Sequence, residues 1–314
     1  MVKEVWLTDE LDDDYCDGLA GTFLGEDSFD LLVSGESCRI YKPNGDLLMH
    51  YVHDAVPNDI CATAFASLQT AHKHSRNRGI SAGIVKPEDV ADIPGNVEVV
   101  KGTRVYRRKG DGTLSRTNEA KPVNSGIIGY FDRSVRMPYC RQTSWNIDNK
   151  DKWEEALPYL QSCSNVFREY APERWKAQKV ITEDTSSDFT IPGTVFTTIT
   201  VNSNWQTAVH KDAGDYKPGL GVMAVLRAGE YEGANLVFPK YRVAVDMSTG
   251  GVCLSDVHEW HGNTPFVTDS VTRYQRLICV MYYRAKMHYC GTADEELKRV
   301  KERKRGDAVD GYIE

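Results

Sequence analysis

The clearest alternation of apolar and polar positions lies in the second half of the chain. Between residues 189 and 284, the segments FTIPGTVFTTITV, GVMAVL and LICVMYY are short and rich in β-branched or aromatic residues, with Gly, Pro or Asn between them. Runs of this length and composition predict β-strands, and the wholly apolar ones predict strands buried in a sheet. The pattern therefore predicts a β-rich core in this half.

The first half of the chain mixes hairpin and helical patterns. Hairpins are predicted over residues 37–52, around a Pro-Asn-Gly-Asp turn, and over residues 97–116, around a Gly-Asp-Gly turn. The helices predicted along the whole chain lie near Thr8–Leu19, over 58–75, over 151–178 with a break or new start at Pro158, and over 294–306. The fold class expected from these patterns is α+β.

Three regions follow from this order of elements. They are an N-terminal α/β extension with a basic hairpin (1–124), a core (125–290) and a charged C-terminal helix or tail (291–314). The 314 residues are 41% hydrophobic and 26% charged, which is ordinary for a globular chain. There is no run of 18 apolar residues and the first residues are acidic, so neither a membrane span nor a signal peptide is expected. We therefore expect an intracellular protein.

Cysteine usage points the same way. The eight cysteines are scattered and none forms a C-x-x-C pair. In a chain of this length, that pattern predicts reduced thiols rather than a disulfide framework, and it disfavours a structural zinc site.

Charge is unevenly distributed along the chain, although the formal net charge is −7. Residues 1–36 carry eleven acidic side chains and one lysine, whereas residues 71–141 carry fourteen Lys/Arg and seven Asp/Glu. Attraction of phosphate depends on the local surface rather than on the total charge. The tight cluster containing Arg104, Arg107 and Arg108 and a second cluster of Lys73, Arg76 and Arg78 are therefore candidate phosphate contacts, with solvated hairpin and helix faces as the alternative.

One constellation of residues in the β-rich half has the composition of an iron site. Mononuclear non-haem Fe(II) enzymes hold the metal with two histidines and one carboxylate and leave the other positions open. The preceding residues 205–209, WQTAV, are strand-like, and on a strand His210 and Asp212 would point to the same side. His258 or His261 would complete the set from a distant strand. Arg273 or Arg276 would then offer a planar fork for a carboxylate cosubstrate.

The segments HKD, FPKY, AVD, DVHEWHGNTP and QRLICVMYY occur in that order. They resemble the TET/JBP family of 2-oxoglutarate- and Fe(II)-dependent dioxygenases, which oxidise the 5-methyl group of 5-methylcytosine or thymine in nucleic acid. The resemblance is strong over residues 202–284 and weaker over about 125–200. It implies a double-stranded β-helix, or jelly-roll, core with supporting helices. Without a long insert between the ligand strands, the chain is similar to compact phage, fungal or protist versions.

The resemblance also implies roles for individual residues. It implies Fe(II) ligands His210, Asp212 and His261, with Arg276 as the 2-oxoglutarate anchor and with His258 and Arg273 as the respective alternatives. O2 would be the co-reactant and ascorbate a candidate stimulant. Candidate cosubstrate contacts, with plain strand-edge polarity as the alternative, are Asn202 and Asn204.

DNA is the partner that the resemblance implies, with the target base flipped out of the duplex. Candidate base or phosphate contacts are Trp205, Phe238, Tyr241 and Arg141, although Arg141 is as well explained by a salt-bridged loop. We expect a monomer that does not bind membranes.

The leading functional hypothesis is conversion of 5-methylcytosine to 5-hydroxymethylcytosine in DNA, with further oxidation as an option. The alternatives are hydroxylation of thymine in DNA or of a free nucleotide, hydroxylation of a small molecule or protein side chain, and a non-catalytic binding module. The negative total charge favours a small-molecule substrate, whereas the basic middle region favours DNA.

Overall fold

The computed structural model describes residues 2–269 and 273–305. The strands are β1 (Lys3–Trp6), β2 (Leu31–Val33), β3 (Cys38–Tyr41), β4 (Leu47–Val52), β5 (Lys73–Ser75), β6 (Val97–Val100), β7 (Arg104–Arg108), β8 (Leu114–Asn118), β9 (Val123–Phe131), β10 (Arg141–Gln142), β11 (Thr198–Ser203), β12 (Gly221–Ala228), β13 (Glu232–Gly233), β14 (Leu236–Phe238), β15 (Val243–Val245), β16 (Val252–Ser255), β17 (Gly262–Asn263), β18 (Phe266–Val267) and β19 (Gln275–Tyr282). The helices are α1 (Asp13–Gly18), α2 (Asn58–Leu68), α3 (Ser144–Asp148), α4 (Lys150–Tyr170), α5 (Pro172–Glu183) and α6 (Ala293–Arg305).

A ten-stranded sheet forms the main layer, in the order β1-β3-β4-β16-β12-β19-β11-β9-β10, with β5 also paired to β9. A four-stranded sheet, β17-β14-β15-β2, packs across it. The buried cluster between them includes Met223 and Ile278 from the main sheet and Leu236, Phe238 and Val245 from the smaller one. Two facing sheets of this kind make the expected jelly-roll, so the predicted fold class is confirmed.

Helices α2, α4 and α5 cover the outer face of the main sheet. The large cluster on that face includes Leu68 from α2 and Leu160 and Phe167 from α4. Burial of this apolar face packs the main sheet against the helical layer. The opposite face of the main sheet is left for the smaller sheet.

Strand β19 shows how alternation sorts side chains between the two layers. Leu277, Cys279 and Met281 belong to the cluster under the helices. Ile278 and Val280, which point the other way, line a cavity between the sheets. Because successive residues of a strand face opposite sides, the even-numbered positions of β19 are the ones available to a site.

The N-terminal region contributes strands to both sheets. The predicted hairpin at 37–52 is confirmed as β3 and β4, and β4 pairs with β16 in the main sheet. Strand β2 pairs in parallel with β15 of the smaller sheet. The second predicted hairpin gains a strand, because a further turn at residues 101–103 makes β6, β7 and β8 a three-stranded meander.

Three local predictions are wrong. The helix predicted over 58–75 ends at Leu68, because residues 73–75 instead pair with β9 as strand β5. Helix α4 runs through Pro158 without a break, and the helical segment divides instead at Ala171, whose backbone leaves the helical conformation before Pro172 begins α5. A disulfide joins Cys140 to Cys290, against the expectation that all thiols are reduced. Scattered spacing missed this pair because the fold brings together residues 150 positions apart. The other six cysteines are free and buried.

None of the helices among the described residues combines the length and apolarity needed to cross a membrane.

A buried ion-pair triad fastens the loop that follows β16. Lys42, only 8% exposed, places its Nζ 2.8 Å from Asp256 and 2.6 Å from Glu259. The backbone carbonyl of Glu259 in turn accepts a hydrogen bond from the Nδ1 of His261. The β3–β4 hairpin, which carries Lys42, therefore helps to position His261.

We predict that Lys42→Met destabilises the protein by about 3 kcal/mol, because it leaves two partly buried carboxylates without their cation. Urea unfolding monitored by circular dichroism measures this. Lys3→Met is the matched control, since its ion pair with Glu36 is half exposed on both sides and should change stability by less than about 1 kcal/mol. Equal effects of the two substitutions would contradict the prediction.

Candidate active site

Backbone pairing brings the two site histidines together. The amide of His210 donates to the carbonyl of His261 at 2.9 Å, and the amide of His261 donates back at 3.0 Å. This isolated antiparallel bridge extends the smaller sheet by one pair. The expectation that residues 205–209 form a strand leading into His210 is wrong, because they bond irregularly to neighbouring segments.

Two N-terminal segments hold that irregular stretch in place. Val209 donates its amide to the carbonyl of Thr22 at 2.8 Å, and Ala208 donates to that of Ser81 at 2.9 Å. The residues just before His210 are thus clamped between parts of the chain more than a hundred positions earlier.

His210, Asp212 and His261 form a cluster whose candidate ligand atoms all lie within 4.8 Å of one another. The Nε2 of His210 is 3.5 Å from Asp212 Oδ1, and the Nε2 of His261 is 3.9 Å from Asp212 Oδ2. The Nδ1 atoms are engaged elsewhere, with the carbonyls of Ala208 at 2.8 Å and Glu259 at 2.9 Å. Those bonds fix the tautomer and aim both Nε2 lone pairs at the centre of the cluster.

Burial, followed by the proximity of His261, lowers the pKa of His210 to about 4. The imidazole is therefore neutral at physiological pH, the form in which histidine binds a metal. Two neutral imidazoles and one carboxylate are the donor set that suits non-haem Fe(II), so the residues present fit the metal that the sequence predicts.

His258, the alternative third ligand, lies outside this cluster. Its Nδ1 is 3.3 Å from Asp256, and its amide also donates to that carboxylate. The turn of residues 256–260 directs the two histidines differently, and only His261 pairs with His210.

Arg276 is buried on β19, with 3% of its surface exposed, whereas Arg273 is exposed. Within the described residues, no carboxylate forms an ion pair with Arg276, and its Nη2 has only a 3.4 Å contact with the carbonyl of Ala234. Burial lowers the pKa of Arg276, and the neighbouring Tyr231 hydroxyl counteracts that effect. A buried guanidinium without a counter-ion fits an anionic ligand such as the distal carboxylate of 2-oxoglutarate.

Tyr231 is a cosubstrate candidate that the sequence did not single out. Its hydroxyl is buried without a hydrogen-bond partner among the described residues, beside the Arg276 guanidinium, which forms no ion pair there. Its ring packs against Tyr274 and Phe266, with centroids 5.2 and 5.4 Å away. It precedes the two-residue strand β13, where no periodic pattern marks it.

The two predicted asparagines lie in different environments. Asn202 is buried, lines the cavity and bonds to the Ser125 hydroxyl. Asn204 is exposed and has a left-handed backbone with φ of 45°. Its side chain accepts from the amide of Arg276 at 2.7 Å and donates to the carbonyl of Tyr274 at 3.1 Å. Asn204 therefore positions the start of β19.

The cavity between the sheets, about 320 Å³ in volume, opens beside the His–Asp–His cluster. Of the predicted substrate aromatics, Trp205 lines this cavity. Phe238 is fully buried between the sheets beside His261, with ring centroids 6.3 Å apart. Tyr241 packs in the same core between the sheets, beside Glu259. The last two therefore lie in this core rather than in the lining of the cavity.

Asp215 and Arg284 are among the polar cavity residues that the sequence prediction missed, and Arg78, from a predicted basic cluster, also lines the cavity. Asp215 pairs backbone-to-backbone with Arg284, which brings their side chains to the same end of the cavity. Burial and the charge of Asp212 raise the pKa of Asp215 to about 8, and its Oδ2 has no hydrogen-bond partner among the described residues. Arg284 follows Val280 and Tyr282 at intervals of two residues, so strand alternation would direct all three to the same face. That spacing was the signal that could have identified Arg284.

The remaining predicted arginines lie outside the cavity. Arg141 stacks over Phe131 at 4.8 Å, beside Arg284, which is 5.7 Å from the same ring. Arg104, on β7, is exposed. Arg107 is 3.7 Å from Glu119, and Arg108 forms an ion pair with Glu98, so both are partly neutralised within the meander.

Comparisons of sequence and structure identify the protein family that shares this site. Residues 126–285 match the family model Tet_JBP, described as the oxygenase domain of the 2OGFeDO superfamily. The chain is 37% identical over 197 residues to the thymine dioxygenase JBP1 of Trypanosoma brucei brucei, an alignment covering 61% of the chain and 23% of that protein. It is 36% identical over 170 residues to the bifunctional helicase and thymine dioxygenase JBP2 of Leishmania tarentolae, covering 54% and 15%. The chain therefore spans less than a quarter of the length of these curated relatives.

Among solved structures, NgTET1 in complex with 5mC DNA is similar in fold, with a TM-score of 0.50, 13% identity and 89% of each chain covered. The family match covers half of the chain and includes His210, Asp212, His261 and Arg276. The chain belongs to the TET/JBP oxygenase family, within the 2-oxoglutarate- and Fe(II)-dependent dioxygenase superfamily.

Proposed function

We propose that this protein hydroxylates the C5-methyl group of a pyrimidine base in DNA, with thymine as the leading substrate. The observation that carries the proposal is the His210–Asp212–His261 cluster, whose Nδ1 atoms are already engaged and whose Nε2 atoms converge beside a cavity. Similarity to thymine dioxygenases at 36–37% identity supports thymine. Thymine thus replaces 5-methylcytosine, which the sequence alone favoured, as the first candidate.

The site residues divide the work of the reaction. His210, Asp212 and His261 would hold Fe(II), and Arg276 with Tyr231 would hold the distal carboxylate of 2-oxoglutarate. When bound, these groups and O2 supply the oxidant for the methyl group. The protein contributes placement, since the sheets enclose the cavity and Trp205 and Ile278 exclude water from its walls.

A methyl group inside a duplex cannot reach an enclosed cavity, so the base must leave the stack. At the polar end of the cavity, Asp215 offers a carboxyl oxygen without a partner, and Arg284 and Arg78 offer donors. A pyrimidine edge presents both donors and acceptors to such a set. 5-Methylcytosine remains the second candidate, because the Asp215 oxygen can also accept a hydrogen bond from its exocyclic amine. A single chain and an intracellular location stay predictions.

Metal binding is the first property to test. We predict that Asp212→Ala weakens Fe(II) binding, measured anaerobically by calorimetry, by more than about 100-fold, because loss of outer contacts alone already costs 10–100-fold. His258→Ala is the control and should bind like the wild type. If His258→Ala abolished binding while Asp212→Ala did not, the ligand assignment would be incorrect.

Cosubstrate binding tests Arg276 and Tyr231, the two buried groups assigned to the distal carboxylate of 2-oxoglutarate. Arg276→Gln should raise the Kd for 2-oxoglutarate at least tenfold, and Tyr231→Phe should raise it several-fold, since each removes a donor to a buried carboxylate. The visible charge-transfer band of the Fe(II)-loaded protein reports binding directly. Arg273→Gln and Tyr274→Phe, at neighbouring positions, should leave the Kd unchanged, and comparable losses in these controls would refute the assignment.

Activity is tested on CpG-methylated duplex DNA, which carries both candidate methyl groups. With Fe(II), 2-oxoglutarate and ascorbate, we expect 5-hydroxymethyluracil as the main product in digested nucleosides analysed by mass spectrometry. Asp212→Ala should give none. A product restricted to 5-hydroxymethylcytosine would select the second candidate. Formation of succinate without either modified base would argue against DNA as the substrate.

A further inference from the structure

The rim of the cavity is built by a basic part of the chain that precedes the matched oxygenase region. Arg78 and its neighbours Asn77, Ile80 and Ser81 line the cavity, although the family match begins only at residue 126. Residues 71–141 as a whole carry fourteen Lys/Arg against seven Asp/Glu. An excess of cations is therefore concentrated where a ligand must enter.

Strand register directs one of these cations toward the cavity side of the main sheet. Lys73 on β5 pairs with Ser125 on β9, and Ser125 pairs with Asn202 on β11. Residues paired across neighbouring strands point to the same face of a sheet. Because Asn202 lines the cavity, Lys73 lies on the same side, at the exposed edge beyond it.

The chain then turns from β5 into the rim. Arg76 is exposed, whereas the Arg78 guanidinium is largely buried. Burial lowers the pKa of Arg78, and the nearby Tyr282 and Asp212 counteract this shift. No carboxylate in the described part of the chain forms an ion pair with Lys73, Arg76 or Arg78. Three cations in succession thus lead from the outer edge of the sheet to the cavity without internal neutralisation.

The three-stranded meander is attached to this rim. The side-chain amide of Asn118, at the end of β8, donates to the carbonyl of Arg76, and Val85 donates its amide to the carbonyl of Gly102 at 2.8 Å. Arg104 is exposed beside the fully buried Val105, so strand alternation turns it to solvent.

Arg116, on β8, is likewise exposed, and neither Arg104 nor Arg116 has an ion-pair partner within residues 2–269 and 273–305. Arg107 and Arg108, by contrast, are paired with acidic residues. Of Arg104, Arg107 and Arg108, only Arg104 is therefore free to meet a ligand.

We infer that Lys73, Arg76, Arg104 and Arg116 form a phosphate-binding track for duplex DNA, leading to the cavity past Arg78. Spaced, unpaired and exposed guanidinium and ammonium groups suit a polyanion, for which release of condensed counter-ions supplies the affinity. Contacts of this kind fix the register and orientation of the duplex without reading sequence. The inference rests on the proposed function only for the identity of the polyanion.

The track is tested with the triple variant Arg76→Gln/Arg104→Gln/Arg116→Gln. Its matched control is Lys150→Gln/Lys176→Gln/Lys179→Gln, which removes the same charge from helices α4 and α5, where Lys150 and Lys176 are exposed and Lys179 is partly buried. Binding of a fluorescent 20-base-pair duplex to the Fe(II)- and 2-oxoglutarate-loaded, O2-free protein is measured from low to moderate salt. Fe(II) binding and thermal unfolding of both variants verify that the fold and the metal site are intact.

We expect the track variant to bind the duplex at least tenfold more weakly. Its plot of log affinity against log salt should also lose about two to three units of slope, close to one per phosphate contact. The control variant should match the wild type. Equal losses in both variants would show that only the total charge matters, and no loss in the track variant would show that DNA binds elsewhere, so either result overturns the inference.

This binding assay is independent of turnover. A wild-type protein that binds DNA through the track yet oxidises neither base would contradict the proposed function and leave the track standing. A wild-type protein that oxidises DNA, with a track variant that binds and reacts equally well, would do the reverse.

Discussion

The site depends on one short pairing, the two backbone hydrogen bonds between His210 and His261. Each histidine comes from a different part of the chain, and neither lies inside a regular strand. The pair brings the imidazoles to 4.4 Å between ring centroids, close enough for one metal ion to contact both. Asp212 then completes the set from two residues further along, since extended backbone returns to the same side at that interval.

Everything around this pair restricts how it can move. On one side, Glu259 is held by Lys42, and on the other, Ala208 and Val209 are held by Ser81 and Thr22. The carbonyls of Ala208 and Glu259, which lie in these two restrained segments, accept the imidazole Nδ1–H groups. The interactions that fix the backbone of these segments therefore also fix the orientation of the two imidazoles, as a preorganised metal site requires.

The sequence predicted the parts of this protein that depend on local chemistry. Apolar alternation identified the strands of the core, and the H-x-D pair with its distant histidine identified the metal cluster, because these signals lie within a few residues of each other. It did not predict Tyr231, Asp215, the position of Arg78 in the cavity or the Cys140–Cys290 disulfide. Those residues acquire their roles from long-range packing, through sheet order and loop closure, which no window of sequence contains. The sequence pattern also assigned Phe238 and Tyr241 to the substrate. An aromatic residue near a metal-ligand segment gives the same sequence pattern whether its side chain faces the cavity or the core.

The carbonyls of Thr22 and Ser81 accept hydrogen bonds from the segment before His210, so the site depends on more of the chain than the family match covers. Residues 126–285 are the portion shared across the family, yet the backbone that presents the first ligand is completed by residues far outside that portion. A fragment cut at the shared boundaries would keep all four site residues and lose the neighbours that hold the irregular segment before His210. The part of the chain shared across the family is thus smaller than the part needed to build the site. Grafting the recognisable core onto another scaffold would require the new host to supply two edge segments of the same geometry.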